Sequence, residues 1–519
     1  MSGGTLISRV LGLFRDVLFF ATFGTSFFGE AFLLAFTIPN LFRRMLGEGT
    51  LSSAFIPIFS NIRGAELTQW NLLNQVVTRL LVLLGLLSFL VACFALFSYR
   101  FGIFEDLKWH VASFLNGVTF FYVIFICTAA ILVAALNVKG SFHSGAVSPI
   151  ILNLFMIATL LTAGVINELD FQISAVLLSL SVVVAGVFQL FLPWIELKKR
   201  FGWRWRFNLS KSKEIVEVGS LFWVGVLGAA VAQINILISR FLAYSLEQEG
   251  AVTYLYMSAR LVELPLGVFA IAISTILFPK LANANNRKDQ ESYLNHFFFG
   301  LRFILMLTLP SAIGLFMVGD LIVKVLFQWQ EFTEQNAYMA YDVLKIVAWT
   351  IPLYAVSTFL VKSYHSQKNM KVPLTAATLS LIANLLLSLL LMFHLGVFGL
   401  AWANVFAALI QLLYLCVKSD VLRFNLVLSK HLSPVLMVFL ATIVMFTTIY
   451  LGRHFVQPDA KKWESFLHLF FWILIGAGSY FLTLYFLKFP MSDEKPLLSR
   501  LVRKKFCYES DFKKSTACS

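Results

Sequence analysis

Arg9 and Arg15 lie inside an apolar run long enough to cross a membrane, and Arg43 and Arg44 lie inside the next. The runs read Ser8-Arg9-Val10-Leu11-Gly12-Leu13-Phe14-Arg15-Asp16 and Pro39-Asn40-Leu41-Phe42-Arg43-Arg44-Met45-Leu46-Gly47-Glu48-Gly49. A guanidinium does not shed its proton, so burying it in hydrocarbon is costly. Four of them in two consecutive spans imply a water-filled cavity that holds an anion. Phosphate suits such a cavity, because the planar guanidinium fork makes two charge-assisted bonds to one group. Several guanidiniums in one cavity also repel each other, and an anionic ligand relieves that repulsion.

Helical spacing sorts these charges. Arg9 and Asp16 share a face, and Arg15 points about 120° away from Arg9. Arg44 and Glu48 stand one turn apart and suit a structural ion pair; Arg43 has no such local partner and is the better ligand candidate. Glu30, at the outer end of the second span, suits a gate pair with a basic residue. Further on, Arg260 stands in Ser258-Ala259-Arg260-Leu261-Val262-Glu263-Leu264-Pro265, with Glu263 placed to pair with it. The substrate-binding candidates are therefore Arg9, Arg15, Arg43 and Arg260. Asp16, Glu30, Arg44, Glu48 and Glu263 are gate or structural ion-pair candidates. Arg79, Arg302 and Lys345 read more readily as snorkelling or structural charges, and Arg240 stands between the two readings.

Asn384 and Ser388 share a helix face, and with Asn404 they offer oxygens to a cation. Hydrogen bonding within a helix interface is the blander account of all three. No P-loop, H-E-x-x-H or G-x-S-x-G constellation occurs, so no catalytic residue, cofactor or metal centre is expected. His110, His143 and His365 are scattered and read as loop residues. The five cysteines are odd in number and form no C-x-x-C pair, which argues against a disulfide framework or a metal site.

The elements that carry these residues are membrane helices. The chain of 519 residues is 59% hydrophobic and only 13% charged, with a mean hydropathy of +0.81; soluble domains carry about 25% charged residues. The runs predict an all-α polytopic protein of about fourteen spans. The first six fall near 5–23, 30–60, 71–98, 114–136, 147–166 and 172–194. The next six fall near 215–243, 253–279, 295–318, 337–361, 373–394 and 397–417, and two more near 431–452 and 464–487. The first reads as a retained helix, not a cleaved signal.

Lys and Arg gather in alternate connections: Arg63, Lys139, the run Lys198-Lys199-Arg200 with Arg204, Arg206, Lys211 and Lys213, Arg287-Lys288, Lys368 with Lys371, Arg423 and the tail. The positive-inside rule then puts both termini in the cytoplasm. The net charge of +14 is a membrane-topology signal in this pattern and no sign of nucleic-acid binding.

A repeat links the spans. Leu6-Ile7-Ser8-Arg9-Val10-Leu11 resembles Leu237-Ile238-Ser239-Arg240-Phe241-Leu242; Phe55-Ile56-Pro57 resembles Leu277-Phe278-Pro279; Ser148-Pro149 matches Val372-Pro373. The offsets are similar, so the chain divides into two parallel six-helix lobes, with a substrate site between them. The expected divisions are 1–200 for the N-lobe, 201–425 for the C-lobe, 426–490 for two appended helices and 491–519 for a basic tail.

These residues carry a family resemblance. Ser8-Arg9-Val10-Leu11-Gly12, Arg15-Asp16, Phe23-Gly24, Ala31-Phe32, Ala35-Phe36, Pro39-Asn40-Leu41, Arg43-Arg44, Glu48-Gly49 and Ala54-Phe55-Ile56-Pro57 resemble the opening of the MurJ (MviN-type) lipid II flippases. That family sits within the multidrug/oligosaccharidyl-lipid/polysaccharide exporter superfamily. Weaker matches follow at Leu136-Asn137, Phe142, Pro149, Leu152-Asn153, Arg260, Glu263-Leu264-Pro265, Gly267-Val268, Pro279, Leu326-Phe327, Phe332-Thr333, Lys371 and Pro373.

The resemblance implies a fourteen-helix inner-membrane transporter with a central cationic cavity and a lipid-tail groove on the last two helices. It implies transport of lipid II, an undecaprenyl-pyrophosphate-linked peptidoglycan precursor, to the outer leaflet by alternating access, with cavity arginines at Arg9, Arg15, Arg43 and Arg260. The implied partners are lipid II and the bilayer, with cell-wall synthesis proteins as further candidates and a functional monomer. The chain departs from the family in starting inside the opening motif. It has Glu30 where the family has Asp, Ser239 and Ser388 where a sodium site would need carboxylates, and Gln330 where a glycine is usual. Alternatives are a sibling polysaccharide-lipid or drug exporter, a non-transporting scaffold for wall synthesis, and an anion channel. A cavity rich in arginine argues against a cationic drug.

Overall fold

The computed structural model describes residues 2–45, 51–62, 66–165, 170–419, 425–455 and 462–490, which form helices and their connections with no strand among them. The N-terminal helices are α1 (Ser2–Phe23), α2 (Phe27–Phe42), α3 (Leu51–Asn61), α4 (Glu66–Phe101), α5 (Leu107–Thr119), α6 (Tyr122–Val138), α7 (His143–Val165) and α8 (Phe171–Phe201). Then come α9 (Lys213–Ser245), α10 (Ala251–Pro265), α11 (Ile271–Asn286), α12 (Gln290–Phe327), α13 (Glu334–Val347), α14 (Thr350–Ser366), α15 (Lys371–Leu395) and α16 (Val397–Lys418). Last are α17 (Asn425–Phe455) and α18 (Lys462–Phe486). Among the described residues eleven helices are long and apolar enough to cross a membrane, against the fourteen spans expected. The expected first, second and seventh spans are not among the eleven. Helix α1 carries Arg9, Arg15 and Asp16 within its 22 residues.

The expected second span, near 30–60, is described as α2 and α3, with 46–50 between them outside the described residues. Pro39 sits inside α2 and cannot donate to the carbonyl four residues back. That carbonyl, of Ala35, is taken instead by the Asn116 amide at 3.1 Å and the Thr119 hydroxyl at 3.3 Å. Residues 43–45 then widen into a π turn. Helix α10 does the same: Pro265 is followed by a π segment, Leu266–Ala270, that leads into α11. The histidines correct a second expectation: His110, His143 and His365 lie in α5, α7 and α14, not in loops.

Packing follows the sequence repeat. Helix α1 packs on α7 and α7 on α8; correspondingly α9 packs on α15 and α15 on α16. Helices α17 and α18 pack on each other and on α12 through Met306, Met317, Val438, Met445, Trp472 and Tyr480. Arg453 of α17 grips Asp320 of α12 with two nitrogens, one of them at 2.9 Å.

At one end of the bundle the α1–α8 group meets the α9–α16 group. The Glu331 amide donates to the Ala21 carbonyl at 3.1 Å, and Gly24, at φ +53, lies against the Glu331 carbonyl with no room for a Cβ. Gln330 holds φ +44, so the turn keeps a left-handed residue where the family's glycine is missing. Just inside this seam Phe20 packs edge-on to Phe327 at 5.4 Å and lies 6.0 Å from Phe332, both fully buried.

The α15–α16 hairpin gives a stability test. A Cβ on Gly399 would sit 2.4 Å from the Leu391 carbonyl oxygen, whereas one on Gly85 meets nothing. Gly399→Ala is expected to cost about 1–3 kcal/mol, as overpacking against rigid backbone does. It should lower the thermal unfolding midpoint in detergent, with Gly85→Ala leaving it unchanged or slightly higher.

Candidate functional site

A cavity of about 330 Å³ opens between the helix groups. Arg9, Arg15 and Asp16 reach it from α1, Arg43 and Arg44 from the end of α2, Arg240 from α9, and Arg260 and Glu263 from α10. Six arginines against two carboxylates leave a formal excess of four positive charges in the lining. All four substrate-binding candidates from the sequence therefore meet at one place.

Asp16 organises the charges. Only 4% exposed, it accepts from Arg15 Nε at 3.0 Å and Nη2 at 2.5 Å through one oxygen, and from Arg260 Nε at 2.8 Å through the other. Arg15, 7% exposed, also donates from Nη1 to Asn153 Oδ1 at 3.1 Å. Its donors are thus largely engaged within the protein. Helical spacing had put Asp16 on the face of Arg9, yet its partners are the adjacent Arg15 and, across the cavity, Arg260.

Glu263 is the second shared carboxylate. It accepts from Arg260 Nη1 at 3.0 Å and lies 3.6 Å from Arg44. Arg44 thus pairs with another helix. Its expected partner, Glu48, lies outside the described residues. Arg43 does have a local partner, donating from Nε to Asn40 Oδ1 at 3.0 Å, one turn back on its own helix. Arg9 is exposed and borders Gly267 of the π segment.

Glu30 meets a helix end as well as a base, Lys108. It is 1% exposed, and one oxygen accepts the backbone amides of Val252 at 2.7 Å and Thr253 at 3.3 Å. A carboxylate at the start of α10 satisfies free amides and meets the positive end of the helix dipole. The contact joins the two helix groups through backbone, and Lys108 is the basic residue whose charge acts on Glu30. Lys108 closes the same end by donating to the Leu246 carbonyl at 3.1 Å.

The cation candidates form a hydrogen-bonded cluster. Asn384, fully buried, donates to Asn235 Oδ1 at 2.7 Å and Ser239 Oγ at 2.9 Å, and Ser388 reaches its Oδ1 at 3.5 Å. Asn404 bonds the Leu400 carbonyl of its own helix instead. No grouping of three or more His, Cys, Asp or Glu fit to hold a metal occurs among the described residues. Arg79 binds the carbonyls of Leu209 and Ser210, and Lys345 pairs with Asp342 at 2.7 Å, both structural contacts.

Sequence reasoning missed two parts of the site. Tyr256 lies beneath Arg240 at 4.9 Å and Arg260 at 5.9 Å, and nothing distinguishes it among 15 tyrosines. Asn153 was visible only as part of the family pattern, with no sign that it would meet Arg15.

Fold and cavity together define a multi-pass helical membrane protein with a cationic chamber at the contact of two helix groups. The solved "Lipid II flippase MurJ, inward closed conformation" superimposes with a TM-score of 0.74 at 24% identity, over 93% of this chain and 97% of that one. An inward-facing multidrug transporter of the MATE family, in the MOP superfamily, gives 0.62 at 14% identity over 80% and 96%. A relative described as probable lipid II flippase MurJ, from Bdellovibrio bacteriovorus, is 32% identical over 93% of this chain and 92% of its own length. The family described as lipid II flippase MurJ matches residues 19–475, and the chain belongs to that family.

The shared carboxylate yields a direct test. Asp16→Asn leaves buried Arg15 without its counter-charge, and losing one member of a buried ion pair costs about 3–5 kcal/mol. The variant should unfold at a clearly lower temperature in detergent. An unchanged midpoint would show that Asp16 does not hold the two helix groups together.

Proposed function

We propose that this protein is a lipid II flippase of the bacterial inner membrane, moving the undecaprenyl-pyrophosphate-linked peptidoglycan precursor from the cytoplasmic to the outer leaflet. The observation that carries the reading is the cavity itself. Its lining holds four more arginines than carboxylates, in a chain whose family is that of the lipid II flippases. An excess of guanidinium in a low-dielectric chamber favours a ligand of high negative charge, and a diphosphate has that charge and the paired oxygens to match. No bond is made or broken in the process.

The architecture proposed with it has fourteen spans in two six-helix lobes, 1–200 and 201–425, which rock against each other. Helices in 426–490 form a groove for the prenyl tail, and 491–519 is a basic cytoplasmic tail. Both termini lie in the cytoplasm, and the monomer is the working unit. The state described then has its outer end shut, by the Phe20 cluster and the Glu30 and Lys108 contacts, with Arg9 on the cytoplasmic approach. Arg15, Arg43 and Arg260 join Arg9 in capturing the headgroup, and the Asp16 and Glu263 bridges rearrange as the lobes rock. Expelling an anion from a negative interior is downhill by about 2.3 kcal/mol per charge per 100 mV. Membrane potential alone can therefore drive the cycle.

The test is complementation of a flippase-depleted strain, together with an assay of lipid II accessibility on the outer leaflet. Arg15→Ala, Arg43→Ala and Arg260→Ala should each abolish growth at normal expression, with lipid II retained on the inner leaflet. Full growth with all three replaced would overturn the arginine mechanism.

A further inference from the structure

Arg9 and Arg240 hold matching places in the two helix groups. The sequences around them repeat, Leu6-Ile7-Ser8-Arg9 against Leu237-Ile238-Ser239-Arg240. Their surroundings repeat as well. Asn153 of α7 donates to the Ser8 carbonyl at 3.1 Å, and Asn384 of α15 donates to the Ser239 hydroxyl at 2.9 Å. In each group, then, an asparagine on the helix behind fixes the turn that carries the arginine.

Charge pairing sets these two apart from Arg15, Arg44 and Arg260. Arg15 and Arg260 share Asp16, and Arg260 and Arg44 share Glu263. Neither Arg9 nor Arg240 makes an ion pair with a carboxylate among the described residues. Arg240 is held by neutral groups only: it donates to the Thr37 hydroxyl and lies over the Tyr256 ring. The Thr37 hydroxyl in turn donates to the Leu33 carbonyl at 2.6 Å, which turns its lone pairs toward Arg240. These contacts aim the guanidinium without cancelling its charge.

Arg240 also stands at a junction. A second cavity of about 380 Å³, lined mainly by apolar, amide and hydroxyl groups of α9, α10, α15 and α16, adjoins the first. The two share Asn40, Arg44, Arg240, Tyr256, Ala259 and Glu263. A ligand extending from one cavity into the other must pass Arg240.

Resting on the flippase reading above, we propose that Arg240 is an anion-binding residue of the α9–α16 group, gripping one phosphoryl group of a lipid-linked diphosphate that Arg9 holds from the α1–α8 group. A diphosphate offers two phosphoryl groups, and Arg9 and Arg240, at matching places of the repeat, come one from each side of the cavity. A ligand held this way favours the arrangement in which both sides reach it, which links binding to closure. The shared chemistry is diphosphate, whether lipid-linked or free.

The experiment uses the full chain in lipid nanodiscs, with undecaprenyl diphosphate, inorganic pyrophosphate and inorganic phosphate as separate probes. Losing a bond to a charged group weakens affinity by about tenfold or more. Arg240→Gln should therefore lose that much for undecaprenyl diphosphate and for pyrophosphate, with an unchanged thermal midpoint. Arg240→Lys, which keeps the charge but cannot bridge two oxygens, should lose less. It carries the test if the glutamine variant does not fold, and wild-type affinity in it would then overturn the proposal. Arg240→Gln binding and flipping as wild type would also overturn the proposal while leaving the flippase reading intact. A loss confined to inorganic phosphate would mark a free-anion site and overturn it too. Failure of the unmodified protein to bind or flip any lipid diphosphate would instead remove the flippase reading, and this proposal with it.

Discussion

Asp16 is the constraint on which the rest of this molecule turns. A carboxylate this deeply buried is stable only when its charge is met, and it is met twice, by Arg15 beside it and by Arg260 from across the cavity. The same contact therefore neutralises a costly charge on α1 and ties α1 to α10. Glu263 repeats the device a turn away, joining Arg260 to Arg44. The two acids do more than offset charge: they decide which arginines remain electrostatically available. Those bound to them are held in place, and the cationic character of the chamber falls on the arginines that no carboxylate reaches.

The helix breaks serve this arrangement. Pro39 and Pro265 interrupt matching helices, and each is followed by a π turn that rotates the residues beyond it. In α2 the freed Ala35 carbonyl is recovered by Asn116 and Thr119, so the break leaves no buried acceptor unsatisfied. Arg43 and Arg44 follow the first break, and Arg9 borders the second at Gly267. At the end where Glu30 lies, two of the joining contacts are to backbone, from Glu30 to the start of α10 and from Lys108 to the Leu246 carbonyl. Each charge meets the helix end of opposite polarity.

Much of this was legible in the residues. Eleven of the expected spans coincide with helices of membrane-crossing length, because hydrocarbon demands long apolar runs with internally paired backbone. The arginines of the opening motif were legible as a cluster, because four such charges in two spans have few physical explanations. The family was legible in that same motif, and residues 19–475 belong to it. The π turn at 43–45 was not legible, since hydropathy does not register a change in helical winding. The Arg44–Glu263 contact was not legible, since Glu263 approaches from another helix. Glu30 has Lys108 as a neighbouring base, but nothing local reveals that a helix N-terminus also arrives against it.

The division between the two sources has a physical basis. Sequence by itself determined what depends on composition and short spacing: a helical membrane protein, an internal repeat, an excess of arginine and a lack of catalytic motifs. Tertiary structure alone decided which charge meets which. Arg15 and Arg260 are 245 positions apart in numbering but share one carboxylate through opposite oxygens. Pairing at such range depends on how helices approach and rotate, set by prolines, π turns and packing together, and no local pattern records it. For that reason the sequence could count the guanidiniums of the cavity but not tell the engaged ones from those left facing a ligand.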